Sequence, residues 1–164
     1  MKTIFKQISS LGYCYVSVVV IILLVMTSCN SQKTGIEMRS VEIDFVVPDV
    51  LEAIKLYEDI FDIERIDVSE QPKGLNEVIF KIYGVSFHML DENPDYHLIA
   101  PKPGDPKSIW FNITVPDIAE TYAKAIASGC SEIQPITEIP EMGISNAMFA
   151  DPFGHIWMLH QILS

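Results

Sequence analysis

The sequence predicts an α+β fold. Two βαβββ modules form a curved eight-stranded mixed sheet, with one helix per module on its convex face. Three observations carry this. Residues 41–61 (VEIDFVVPDVLEAIKLYEDIF) and 109–129 (IWFNITVPDIAETYAKAIASG) both pass from apolar alternation through Pro-Asp into a helical pattern. Each helix start places Glu three residues after Asp, as Asp49/Glu52 and Asp117/Glu120, an Asp form of the capping box. The tails repeat as well: residues 84–90 (GVSFHML) lie over 154–160 (GHIWMLH). A duplicated unit of this kind builds a pseudo-symmetric cup with its site between the copies.

The first 28 residues stand apart from the modules. Lys2 and Lys6 precede a dense apolar run, Val16 to Met26, and Met26-Thr27-Ser28-Cys29 follows. This order is similar to a bacterial lipoprotein signal, in which Cys29 is lipidated and begins the mature chain. The run between Lys6 and Lys33 is also long enough to span a bilayer, since about 20 apolar residues suffice. The short apolar core ending in small residues favours the signal. Either reading tethers the globular part outside the cytoplasm as a membrane-anchored lipoprotein or anchored domain. Residues 29–40 read as a polar tether.

The first module covers residues 41–91. Val41, Ile43, Phe45 and Val47 point to one side of its first strand, and Glu42, Asp44 and Val46 to the other. Asp49 caps a helix with an apolar stripe of Leu51, Ile54, Tyr57 and Phe61. Strands follow near 64–68, 77–83 and 86–90. Residues 92–107 hold four prolines and a Pro-Gly pair, and read as a linker. The second module covers 108–164. Ile109, Phe111, Ile113 and Val115 face inward; Trp110, Asn112 and Thr114 face outward. Asp117 caps its helix and Gly129 ends it. Strands follow near 132–136, 146–150 and 156–162.

The more apolar face of each strand packs on the helices, so the other face lines the concavity. By this phase Glu42, Asp44, Trp110 and Asn112 enter the cup. Burying Phe87, Met89, Trp157 and Leu159 sends Ser86, His88 and Leu90 into the cup, with Ile156, Met158 and His160. His155, in the hairpin, is expected to face solvent, and Trp157 to be core.

The whole chain carries a formal charge of −11, and removing Lys2 and Lys6 with the leader makes it −13. Such a chain repels phosphate backbones, which argues against a nucleic-acid partner. It would draw in cationic small molecules. With Cys14 in the leader and Cys29 lipidated, Cys130 is left alone, so no internal disulfide forms, and its expected role is packing.

The βαβββ repeat, the two V-P-D-[VI] helix starts and the segment 149–160 (FADPFGHIWMLH) resemble the glyoxalase / bleomycin-resistance / extradiol dioxygenase superfamily, also called vicinal oxygen chelate. The resemblance covers residues 41–162. It implies a divalent metal in the cup, held from the start of the first strand and the middle of the last strand of each module. Carried over, these positions are Glu42, His88, Trp110 and Met158. Indole offers no lone pair to a metal, and thioether sulfur is soft. Only Glu42 and His88 remain as metal ligands, where a zinc-type catalytic site uses three and an open position. Asp44 and His160 lie two residues along, a shift of roughly 6.6 Å that ligand distances tolerate poorly.

The expectation is therefore a small-molecule-binding protein with a cup formed by Glu42, Asp44, His88, Trp110, Asn112, Met158 and His160, without a cofactor, for a cationic or aromatic ligand. Glu42 and His88 would then pair by a hydrogen bond. Two alternatives stay open. One is a lactoylglutathione-lyase-like or other glyoxalase-family enzyme using zinc, nickel, manganese or iron; the other is a tethered interaction module with a vestigial cup. The resemblance allows the cup to form within one chain or across a homodimer.

Overall fold

The computed structural model describes residues 41–164. The predicted leader, Cys29 and the tether lie outside the described residues. Eight strands and two helices follow in the predicted order. They are β1 (Ile43–Val47), α1 (Val50–Ile60), β2 (Ile63–Val68), β3 (Glu77–Ile82), β4 (Val85–Asp91), β5 (Phe111–Thr114), α2 (Ile118–Ala127), β6 (Ser131–Ile139), β7 (Ile144–Ala150) and β8 (Ile156–Ile162). Hydrogen bonding arranges the strands as two four-stranded mixed sheets, in the orders β1-β4-β3-β2 and β5-β8-β7-β6. Each first strand runs parallel to the last strand of its module. Among the described residues β1 and β5 are therefore the outer strands of their sheets.

Both helices begin as their sequences dictate. The Asp49 carboxylate accepts from the Leu51 and Glu52 amides, and Asp117 from the Glu120 amide. A second acceptor reaches each helix start from the end of the last strand. Asp91 Oδ1 takes the Val50 amide at 2.8 Å, and Gln161 Oε1 takes the Ile118 amide at 2.8 Å. These two residues correspond in the repeat. Gly129 closes α2 at φ 95°, a left-handed conformation that glycine adopts without a Cβ penalty.

Most of the predicted inward face is buried, though Val41 and Ile43 at the start of the first strand are exposed. Phe45, Val47, Phe87 and Met89 join Ile113, Phe149, Trp157 and Leu159 in one core with Tyr57 and Phe61 of α1 and its C-terminal turn. Burying each such side chain is worth roughly 1.5–3 kcal/mol. Cys130 belongs to this core; its burial, with Asp151 nearby, pushes the thiol up to about 12. At neutral pH it is an inert packing residue. Ile109 is exposed rather than inward, because β5 begins only at Phe111 and the chain before it leaves the sheet.

Two buried carboxylates organise the loops. Asp91 accepts from the amides of Val50, Gly74 and Asn76 and from Asn76 Nδ2. Burial alone would raise its carboxyl, but these four donors outweigh it and hold the group below its usual range. Asp151 accepts from Tyr57 Oη and Trp157 Nε1, both at 2.8 Å, and from the Phe153 and His155 amides. The D-P-x-G hairpin is thus the acceptor that ties α1 of the first module to β8 of the second. The linker packs on this hairpin: a Cβ at Gly154 would lie 2.5 Å from the Pro101 carbonyl oxygen.

His155 does not face solvent as expected. Its Nε2 donates to the Val46 carbonyl at 2.9 Å, and its ring stands edge-on to Phe45 and tilted against Phe111. The hairpin folds back under β1, so a polar turn residue becomes a contact between modules. Burial holds this imidazole below its usual range, and Lys107 adds to the effect, while Asp151 and the Val46 carbonyl oppose it. The unfolded chain therefore takes up this proton more readily than the folded one. The stabilisation is complete above the ordinary histidine value of 6.5 and is lost as pH falls below it. His155→Gln should flatten the loss in urea midpoint between about pH 7 and about pH 5. An unchanged slope would count against this assignment.

Candidate functional site

The outward face of the first sheet collects ionisable groups. The parallel register sets Asp44 beside His88, and the antiparallel register sets Glu77 beside Leu90 and Ile79 beside His88. Glu42 stands one repeat up the same face and accepts a hydrogen bond from Ser86 Oγ. His88 Nδ1 lies 3.5 Å from Asp44 Oδ1, and Nε2 lies 3.1 Å from Glu77 Oε2. The expected Glu42–His88 hydrogen bond is replaced by these contacts, because Asp44 rather than Glu42 is the direct strand neighbour. Ligand-capable atoms of Glu42, Asp44 and His88 all fall within 4.8 Å of one another. The spacing along one strand that seemed to remove Asp44 is offset by the pairing across strands.

The outward face of the second sheet is neutral and softer. Asn112 pairs with Met158 and Thr114 with His160; Met148 and Asn146 lie beside Met158 and His160 on β7. Gln134 Nε2 donates to Asn146 Oδ1 at 2.9 Å. Trp110, 52% exposed, stands at the rim just before β5.

Within one chain the seven candidates divide between two faces. The sheets meet through their other sides: Phe45 packs on Phe111 at 5.2 Å and Phe87 on Phe111 at 5.8 Å, while Tyr57 of α1 packs on Trp157 at 5.2 Å. Two grooves show the same offset. The edge of β5, with Trp110, Asn112 and Thr114, borders a groove of about 390 Å³ whose far wall is Ile43, Val85 and Phe87, the inner side of the first sheet. The edge of β1 borders one of about 330 Å³ against Ile109, Phe111 and His155. Glu42, Asp44 and His88 therefore look out from one side of the core, and Asn112, Met158 and His160 from the other.

Sequence reasoning missed Glu77. Its phase becomes visible only when β3 is registered against β4, where odd-numbered residues share the face of His88. The four positions carried over for a split metal set do not fit a divalent ion, since Trp110 and Met158 supply no suitable donor. Glu42 and His88 stay together, with Asp44 added.

A family model described as Glyoxalase/Bleomycin resistance protein/Dioxygenase superfamily matches residues 39–159. Solved structures share the fold. Fosfomycin resistance protein FosX from Listeria monocytogenes, complexed with Mn(II) and sulfate, is 18% identical with a TM-score of 0.57, covering 77% of this chain and 90% of that one. TioX from Micromonospora sp. ML1 is 16% identical with a TM-score of 0.56, covering 77% and 100%. A superfamily member from Sphaerobacter thermophilus DSM 20745 is 20% identical with a TM-score of 0.56, covering 76% and 98%. No curated protein matches the chain.

Proposed function

Because the chain belongs to the glyoxalase/bleomycin resistance protein/dioxygenase superfamily, we propose that it is a small-molecule-binding protein. Its cup is assembled between two copies, and its ligand is cationic or aromatic. The observation that carries this is the division of the candidate residues between two outward faces. One face alone is half a cup. β1 and β5 are outer strands among the described residues, and joining β1 of one copy to β5 of another side by side would give an eight-stranded sheet. The joined cup has Glu42, Asp44 and Glu77 on one wall and Trp110, Asn112, Met158 and His160 on the other. A cation stacked on Trp110 gains roughly 0.5–2 kcal/mol and finds carboxylates opposite.

Charge argues against an anionic ligand. A FosX structure holds Mn(II) and 1S,2S-dihydroxypropylphosphonic acid; here such a phosphonate would meet the three carboxylates of the first wall. A split two-module metal set is also broken by Trp110 and Met158. Cys29 lipidation would hold the cup outside the cytoplasm; Cys29→Ala should abolish lipid labelling, and labelling that survives it would reject that anchor.

Trp110 provides the test of binding, because Trp157 is fully buried on the inner side. Titration with aromatic ammonium compounds should shift the emission of the native protein and affect Trp110→Phe much less. If no compound of this class shifts emission, or if both proteins respond equally, the reading fails.

A further inference from the structure

We propose that Gln134 and Asn146 are the specificity-determining pair of the second wall, and that they read a cyclic amide edge on an aromatic ammonium ligand. The inference rests on the small-molecule reading above and names the chemistry of the ligand's neutral end.

The repeat isolates the pair. In the first module β2 lies against β3 with a register shift between Arg65 and Asp67, and Asp67 opposes Ile79. In the second, β6 lies against β7 with a register shift between Glu132 and Gln134, and Gln134 opposes Met148. Arg65 and Glu132 oppose Phe80 and Phe149, which in turn oppose Phe87 and Trp157, so the two bulges are equivalent. Glu77 opposes Leu90 as Asn146 opposes His160, and these two are equivalent as well. Where the first wall carries the carboxylates Asp67 and Glu77, the second therefore carries amides. Amides are neutral and both donate and accept. The ammonium end of a ligand is thus drawn to the first wall, and a neutral hydrogen-bonding end to the second.

The two amides are only half used. Gln134 Nε2 donates to Asn146 Oδ1 at 2.9 Å; among the described residues nothing accepts from Asn146 Nδ2 and nothing donates to Gln134 Oε1. Asn146 is only 9% exposed, yet among the described residues no fully buried side-chain nitrogen or oxygen lacks a partner. Its free Nδ2 therefore opens to the cup and not to the core. Turning both amides over reverses the order of donor and acceptor and keeps one of each. Such a mostly buried pair holds hydrogen bonds that a ligand can complete.

The floor beside the pair suits a flat ring. Met148 and Met158 face each other across β7 and β8, and both are half-buried. Their thioethers give a soft, polarizable surface for an aromatic face. A donor and an acceptor side by side over this floor match a lactam fused to an aromatic ring. Its carbonyl accepts from Asn146 while its N–H donates to Gln134.

The experiment is calorimetry on the full chain in detergent with three ammonium probes. One is carbostyril, a benzo-fused lactam, bearing an aminomethyl group on its benzo ring. The second is its N-methyl derivative, which blocks the lactam N–H. The third is aminomethylnaphthalene, which has no lactam. The carbostyril should bind at least about tenfold tighter than either of the others. Gln134→Met and Asn146→Leu should each erase that preference and leave the naphthalene within about twofold of its native affinity. Equal affinity for the carbostyril and its N-methyl derivative, a preference that persists in both variants, or an equal loss of all three probes in both would each overturn the proposal. If the naphthalene binds and the lactam gains nothing, the amide pair is removed and the small-molecule reading stands. If none of the three binds, both fall.

Discussion

Asp151→Ala is expected to lower the stability of the domain by about 3–6 kcal/mol, a large share of the 5–15 kcal/mol that such domains possess. The carboxylate serves four donors. Two of them, Tyr57 Oη and Trp157 Nε1, belong to side chains with no exposed surface. Alanine leaves both donors without a partner in an aromatic core. Each buried orphan costs about 1–3 kcal/mol. The Phe153 amide is buried as well, and the part-buried His155 amide adds less. Burial and the Asp151 carboxylate push the Tyr57 phenol well above its usual range, so it remains a donor at any relevant pH. Tyr57→Phe removes the donor with its need and should cost much less. Urea unfolding of both variants and their combination tests this. A loss below about 1 kcal/mol in Asp151→Ala would show that the hairpin carboxylate is dispensable.

Asp151 also shows what a sequence conceals. Its place in a D-P-x-G turn was legible, since Asp, Pro and Gly suit those turn positions. Its role as a junction between modules was not. A turn motif reports its own backbone, and the Tyr57 and Trp157 donors come from 94 residues before and six after. The two helices and eight strands were legible because alternation and capping are local and occur twice. Sheet parity was legible too: Phe87, Met89, Trp157 and Leu159 are all buried, which sends His88 and Met158 to the outer faces. Parity says which side of its own sheet a residue takes. It carries no information on how two sheets face each other, so the sequence left open whether the seven candidates share a cup within one chain or across two, and the structure puts them on two faces of one chain. His155 misled for a related reason. Hairpin residues default to solvent, and only the tertiary fold brings β1 over this one.

The division of faces makes the largest functional prediction, which is complementation between two inactive proteins. One variant carries Asp44→Asn with His88→Gln and keeps its second face. The other carries Trp110→Ala with Met158→Ala and keeps its first face. Each alone should fail to bind the aromatic ammonium probe, because every cup it forms has one damaged wall. Mixed copies behave differently if a cup draws one wall from each. The mixed dimer then contains one doubly damaged cup and one with both walls intact. With equal amounts and free exchange, half the dimers are mixed, so about a quarter of all cups should regain binding. Calorimetry with the probe measures this fraction directly. A cup built within one chain gives no recovery at any mixing ratio, since no chain carries two sound walls. Zero recovery after demonstrated exchange of copies would therefore sink the two-copy cup. Recovery near a quarter would require that residues looking away from each other across one core meet in a second copy of the same protein.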